Sequence, residues 1–229
     1  MGHKKMTTLW KALTEDMRSF HGNCAWKIGE WKRYRGNLSI CQKGFHASPT
    51  IAQAMSYVNP GYVCLVEAKG AHQAEEDKQC WEKMRVIKAY KWTKEDSVEM
   101  AIYAAQLALP IFEKSHPNYT SHKKAIQAAK NWLRNKTDNN VRAARTAARM
   151  AADIYAATAS VAISATICAA LAAAADTAKD ASAPAANAAL IAATAAARAS
   201  AAANAETKVI NRIQKWCERR LEQKDKKEG

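Results

Sequence analysis

Residues 143–205 constrain the fold more than any other part of the chain: 34 of these 63 positions are alanine, with isolated Arg, Asp, Thr and Ser, no Gly, and one Pro, at 184. Alanine is the best intrinsic helix former because its side chain has no rotamer freedom to lose. The stretch is therefore expected to be helical almost throughout and to break near Pro184, since proline removes a helical hydrogen bond and clashes with the preceding turn. Arg145, Arg149, Asp153, Asp176, Lys179 and Asp180 interrupt it, and Thr158, Ser160, Ser164 and Thr166 break up its longest uncharged run, so a membrane span is not expected. Disordered low-complexity tracts favour Pro, Glu, Ser and Gly instead. Helices faced with methyl groups approach near the low end of the usual ~8–10 Å spacing. The expectation is a tightly packed, alanine-rich, all-α helical bundle with no membrane contact.

At 229 residues the chain can hold one large domain or two small ones, and its formal net charge is +14. The charge is spread: residues 1–97 carry 16 Lys and Arg against 10 Asp and Glu, and residues 98–229 carry 19 against 11. Such a surface steers association with polyanions and with acidic proteins alike. The six cysteines, at 24, 41, 64, 80, 168 and 217, show no CxxC pair and no regular spacing, and no apolar leader opens the chain. Reduced, buried thiols in the cytoplasm are expected. Residues 1–5 read as an extension without structural meaning, ahead of Met6.

Residues 6–95 differ in texture, with Trp, Tyr, Val, Ile and Gly and an ordinary share of alanine. Leu9 to Leu13 reads as a short strand or a helix start. Trp26 to Glu30 and Trp31 to Arg35 read as strand pieces around a Gly turn, and Leu38 to Cys41 as a strand ending at Lys43-Gly44. Ser48 can cap a helix whose first turn holds Pro49, with Ile51, Ala52, Met55 and Tyr57 at helical spacing, ended by Asn59-Pro60-Gly61. Tyr62 to Ala68 is nearly continuous in apolar residues and so reads as a central strand, and Met84 to Trp92 as the last strand. The whole is a small mixed α+β domain.

Trp10-Lys11-Ala12-Leu13, the Trp31 strand, Cys41-Gln42-Lys43-Gly44-Phe45-His46-Ala47, the Pro49 to Tyr57 helix, Val66 to Gly70 and the Lys83 to Tyr90 strand occur in that order. This segment, roughly residues 8–95, resembles a domain of unknown function that recurs in phage and prophage proteins and carries a Gly-Phe-His-Ala signature. The resemblance implies a fold and a habitat, and no activity.

Among candidate site residues, His46 sits between a Gly-Phe pair and a helix start, where a side chain can face a cleft. With Tyr34-Arg35-Gly36, Ser48, Tyr57 and Glu67 it has some of the pieces of an ADP-ribosyltransferase, with Glu67 orienting the nicotinamide ribose. The Glu-x-Glu pattern of such enzymes is missing, because Ala68 and Lys69 follow Glu67. A structural or ligand-binding histidine is the other reading. Trp31, Tyr34 and Arg35 lie in a run that interleaves aromatics with Lys27, Lys32 and Arg33, with Lys43 nearby. Stacking rings beside cations suit single-stranded nucleic acid, and a two-stranded ribbon with solvated cations fits equally. No metal site is expected: His116 and His122 lie off helical pairing and no Cys or acidic cluster joins them. Walker, GxGxxG and GxSxG motifs are absent from the sequence, so no cofactor is assigned.

Residues 96–225 read as helices. Thr93 to Asp96 has capping-box spacing, and the helix it opens runs to Pro110 or on to Phe112. His116-Pro117-Asn118 is a loop, Ser121 is read as the cap of a second helix through Trp132, and Thr137 to Asn140 caps the alanine tract. Thr207 to Leu221 forms a last amphipathic helix striped by Val209, Ile210, Ile213, Trp216, Cys217 and Leu221, with residues 224–229 frayed. Ala101 to Ala105, Leu109 to Glu113, His116-Pro117, Lys124 to Ile126 and Asn131 to Leu133, followed by an Ala/Arg-rich tail, are similar to the helical immunity proteins of bacterial polymorphic toxin systems. That resemblance implies neutralisation of a toxin by binding. Arg142, Arg145 and Arg149 recur at three and four residues, on one helix face, and suit phosphates, an acidic partner or plain solvation.

Together these readings give an α+β protein, a small domain over 6–95 and an alanine-rich bundle over 96–225. The function expected is that of a phage- or prophage-borne binding protein rather than an enzyme. It would neutralise a toxin or a host-defence component by direct contact, with exposed Trp31 and Tyr34 and then Arg142, Arg145 and Arg149 giving specificity. The alternatives are a nucleic-acid or signalling-nucleotide binder and the transferase centred on His46 and Glu67. Alanine-faced helices also favour homo-oligomers.

Overall fold

The computed structural model describes residues 6–55, 61–115, 117, 118, 120–158 and 205–228. Two compact units divide the chain between Trp92 and Thr93.

The first unit is an antiparallel sheet. β1 (Thr7–Leu13) pairs with β4 (Tyr62–Ala74), which pairs along its length with β5 (Gln79–Lys91). The far side of β5 carries β2 (Lys32–Arg33) opposite Met84 and Lys83, and β3 (Phe45–Ala47) opposite Trp81 to Gln79. β4 is thus central, as its apolar run demands, with Val63, Cys64, Val66 and Ala68 fully buried. The β4–β5 register slips at Leu65/Val66 and again at Lys69/His72, the second beside Gly70 at φ +97°. Each slip bends the ribbon and increases its twist. The sheet curls far enough that Ser48, just past β3, returns to β1: Ser48 N donates to Trp10 O at 2.8 Å and Trp10 N to Ser48 O at 2.9 Å. The result approaches a small barrel, whose interior holds Leu9, Leu13, Cys64, Val66, Met84 and Val86, closed by Trp26 and Trp81.

Three sequence expectations are corrected here. Trp26 to Glu30 is not a strand: Trp26 plugs the core, Gly29 takes φ +84°, and the backbone meets the sheet only as an isolated parallel bridge of Ile28 to Val86, with Gly29 N donating to Val86 O at 2.8 Å. Leu38 to Cys41 forms a tight turn in place of a strand, with Lys43 N and Gln42 N both donating to Ser39 O and Cys41 held at φ +67°. Ser48 is occupied in sheet bonding, so Thr50 caps α1 (Ile51–Met55): its Oγ1 accepts from Gln53 N at 3.2 Å while Gln53 Oε1 accepts from Thr50 N at 3.1 Å. Tyr57, Asn59 and Pro60 lie outside the described residues.

The second unit holds, among the described residues, α2 (Lys94–Ser115), α3 (Ser121–Arg134), α4 (Asp138–Thr158) and α5 (Ala205–Glu228). α2 packs on α3 and on α5, and α3 on α4. The α3–α4 pair buries Ala125, Ala128 and Ala129 together with Ala144, Ala147 and Ala148, small residues that allow close approach. α5 buries its stripe of Ile213, Cys217 and Leu221, with Trp216 stacked on Tyr103 of α2 at 5.8 Å. Thr93 caps α2 as its spacing implies: Thr93 N donates to Asp96 Oδ2 at 2.8 Å. Thr137 caps α4 through Asn140 N, and the Asn140 amide reaches back to Asn135 O at 2.6 Å, closing the end of α3.

Two expectations in this unit change. Ser121 is the first helical residue and is buried, with Thr120 at the cap position making no side-chain capping bond. Residues 224–228 do not fray, because Lys224 Nζ is 2.6 Å from the buried Asp96 carboxylate and α5 runs to Glu228. α2 also passes through Pro110 to Ser115. Residues 159–204, which carry most of the alanine tract and Pro184, lie outside the described residues, as do 1–5. No described helix is long and apolar enough to cross a membrane.

Candidate functional site

Inside the curled sheet, β1 breaks its own pattern. Leu9, Lys11 and Leu13 share one face, since alternate strand residues point the same way, and all three are buried. Lys11 sits opposite Cys64, at 9 % exposure. Its Nζ donates to His46 O at 2.7 Å and stands 5.3 Å from the Trp26 ring. Loss of water around the ammonium pushes its pKa down to about 8, against weaker opposing effects of the Cys64, Cys24 and Cys80 thiols.

Lys11 lines a cavity of about 460 Å³, within the range of small-ligand sites. Its walls come from four places. β1 gives Trp10 to Ala12, β3 with its flanks gives Lys43 to Ser48, the segment 19–24 gives Phe20 and His21, and Tyr34 and Lys78 close the rim. The turn 38–44 can pass this close only because residue 44 is glycine: at φ +110°, a Cβ there would meet Cys80 Sγ at 2.5 Å and Leu38 Cδ2 at 2.7 Å. The Trp26 indole anchors the 19–24 segment by donating to Ser19 Oγ at 2.8 Å and packs edge-on to Phe45 at 5.3 Å.

The electrostatics of the walls are one-sided. Lys11, Lys43 and Lys78 are cations, His21 and His46 are imidazoles, and no Asp or Glu belongs to the lining. Lys78 Nζ pairs with the Glu75 carboxylate, outside the lining, at 3.2 Å. His46 is held neutral: burial lowers its pKa first, and the charges of Lys11 and Lys78 lower it further. A neutral ring agrees with Nε2 accepting the Cys41 N–H at 2.9 Å. Burial also pushes the Cys80 thiol up and the Cys64 thiol to about 12, so both are protonated at neutral pH.

Of the sequence candidates, His46 and Tyr34 line this cavity, while Arg35 is exposed nearby in sequence. Trp31 is not the open aromatic anchor expected: it is half-buried, with Lys69 Nζ 3.9 Å and Arg85 Cζ 4.9 Å from its ring. Glu67 does not line the cavity, and its carboxylate accepts from Arg85 Nε at 2.7 Å. Of the two residues on which the transferase reading centres, His46 lines the cavity and Glu67 does not. Arg142 and Arg145 are exposed on α4, in the other unit, with Arg142 Nη2 bonded to Asn139 Oδ1 at 2.9 Å. Arg149 is on the same helix. The thiols are free among the described residues, but Cys41 is exposed rather than buried. No group of metal ligands forms among the described residues.

Lys11, Lys78, Phe20 and His21 were not singled out from the sequence. Lys11 had a local signal, a lysine between Leu9 and Leu13 on the buried face of a strand. The other three reach the cavity through loops, and no periodicity marks them.

Residues 7–96 match the family model of a domain of unknown function (DUF7666). No curated protein and no solved structure matches the chain.

Proposed function

We propose that the sheet unit binds a small anion carrying a flat ring, of the nucleotide class, in the cavity against Lys11. The observation that carries this reading is the lining itself: three lysines and the aromatic residues Trp10, Phe20, Tyr34 and Phe45 around one cavity, with no carboxylate among the lining residues. A site partly walled off from bulk water strengthens each charge–phosphate contact, and rings offer stacking worth ~1–3 kcal/mol per base. The overall charge of +14 would draw such a ligand in. In a phage or prophage setting the same chemistry serves a protein that sequesters a signalling nucleotide.

Isothermal titration with ADP, adenosine and inorganic pyrophosphate tests it. ADP is expected to bind more tightly than either fragment, because the fragments lack the phosphates or the ring. Lys43→Glu should weaken ADP at least tenfold, since a repulsive charge replaces an attractive one at the rim. Absence of binding by any nucleoside phosphate at millimolar concentration would remove the reading. Neutralisation of a toxin or defence component by direct contact is the second reading. Its apolar anchors would be Phe20 and Ile28, 55 % and 61 % exposed, in place of the covered Trp31.

A further inference from the structure

Binding alone leaves one feature of the cavity unexplained. A lysine placed only to hold an anion works best at the rim, hydrated and fully charged. Lys11 instead sits on the buried face of β1, between Leu9 and Leu13, where desolvation works against its charge. Among the described residues, the titratable groups that act on it most are the thiols of Cys64 on β4, Cys24 in the segment 19–24 and Cys80 on β5, and no carboxylate is among them. His46 on β3 offers its carbonyl oxygen, at 2.7 Å, and holds a neutral ring. Lys32 Nζ also stands near the Trp26 ring, 5.9 Å from its centroid. An amine in a water-poor apolar site, open on one side to a cavity, is how proteins make lysine a nucleophile.

We propose that Lys11 is a reactive amine that captures a small aldehyde or ketone bearing an anionic group, as an imine, inside this cavity. The Nζ lone pair attacks the carbonyl carbon, and the proton lost from nitrogen moves to the former carbonyl oxygen, giving a carbinolamine. Departure of that oxygen as water, with a second proton, leaves a carbon–nitrogen double bond to Nζ. No oxidant or reductant is consumed, and water reverses the step. Lys43 and Lys78 at the rim supply the charge for the anionic group, and the rings of Phe45 and Tyr34 the apolar wall. The inference shares its cavity with the nucleotide reading but does not depend on that ligand.

The magnitude is usable. A pKa of about 8 leaves roughly a quarter of the amine unprotonated at pH 7.5, against about one part in a thousand for an ordinary lysine. Part of that gain is lost because a less basic amine is a weaker nucleophile. Lys11 should still react about ten times faster than a surface lysine.

The full chain is incubated with sub-stoichiometric pyridoxal 5′-phosphate, which combines aldehyde, ring and phosphate, then reduced with borohydride and mapped by peptide mass spectrometry. The adduct is expected on Lys11 ahead of every other lysine, and Lys11→Arg should lose it while keeping the circular dichroism spectrum of the wild type. Surface lysines labelled with Lys11 untouched would overturn the proposal. Should the arginine variant misfold, the wild-type protein decides through the pH dependence of Lys11 capture of propionaldehyde. A half-maximal rate near pH 8 supports the reactive amine, whereas a rate still climbing past pH 10 contradicts it. Capture of propionaldehyde without ADP binding keeps this inference and removes the nucleotide reading, and ADP binding without capture does the reverse.

Discussion

Asp96 is a buried carboxylate that ties α2 to α5, and Asp96→Asn measures its contribution. The side chain is 1 % exposed and joins the α2 cap, through Thr93 N at 2.8 Å, to α5, through Arg220 Nε at 2.7 Å and Lys224 Nζ at 2.6 Å. Breaking one partner of a buried ion pair costs about 3–5 kcal/mol, because the remaining charges are left uncompensated. Here the partners keep 27 % and 21 % of their side chains exposed and can rehydrate, so the low end applies, about 3 kcal/mol. Asparagine can still cap, which leaves the Thr93 bond largely in place. The sign of the pH effect follows from the carboxyl. Burial alone would raise its pKa, but hydrogen bonds from Lys224, Thr93 N–H and Arg220 outweigh that and hold it below the ordinary value. Its contribution is therefore complete above about pH 4 and is lost as pH falls through the lower folded value. Urea melts followed by the helical circular dichroism signal, at pH 7 and through the acid range, read both effects. A variant within ~0.5 kcal/mol of wild type at pH 7 would refute the reasoning.

Three further outcomes follow from the same geometry. Gly44→Ala should destabilise the sheet unit by about 2 kcal/mol or more, because a Cβ there meets Cys80 Sγ at 2.5 Å and the backbone sits at φ +110°; thermal melts against Gly22→Ala, where nothing lies within 4 Å, separate the clash from backbone strain. Asn140→Ala removes the amide that closes α3 and should cost about 1 kcal/mol, checked by urea denaturation. Lys11→Met tests the buried amine through stability: since the folded pKa, about 8, lies below the unfolded one, the unfolded chain binds more protons between them and the wild type should gain stability as pH rises from about 8 to 10.5. The gain approaches about 3 kcal/mol, and pH-dependent melts of the methionine variant should lack it.

Several elements were legible because their signals are local. The apolar run of Tyr62 to Ala68 marks the central strand, the Thr93-x-x-Asp96 spacing marks the α2 cap, and the Ile213, Cys217, Leu221 stripe marks the buried face of α5. Extensions made by pairing alone were not. His72, Gln73 and Ala74 are strand because β5 pairs with them, although their own sequence is polar and exposed. Ser48 and Thr50 are equally good capping types, and only the bond from Ser48 to Trp10 decides between them. Trp31 reads as an open ring until Lys69 and Arg85, far away in sequence, arrive over it. The Asp96–Lys224 pair spans 128 residues and leaves no local trace. The cavity has the same character: His46 could be named from its neighbours, while the loop residues that enclose it with Lys11 meet only when the sheet curls.

The most direct test of the ligand reading is native mass spectrometry of the full chain purified gently from its own host without nuclease treatment. The account predicts one small anion per chain, released on denaturation with the ultraviolet absorbance of a base. A chain that carries a partner protein at fixed stoichiometry and takes up no small anion, even with nucleotides added at millimolar concentration, would contradict it.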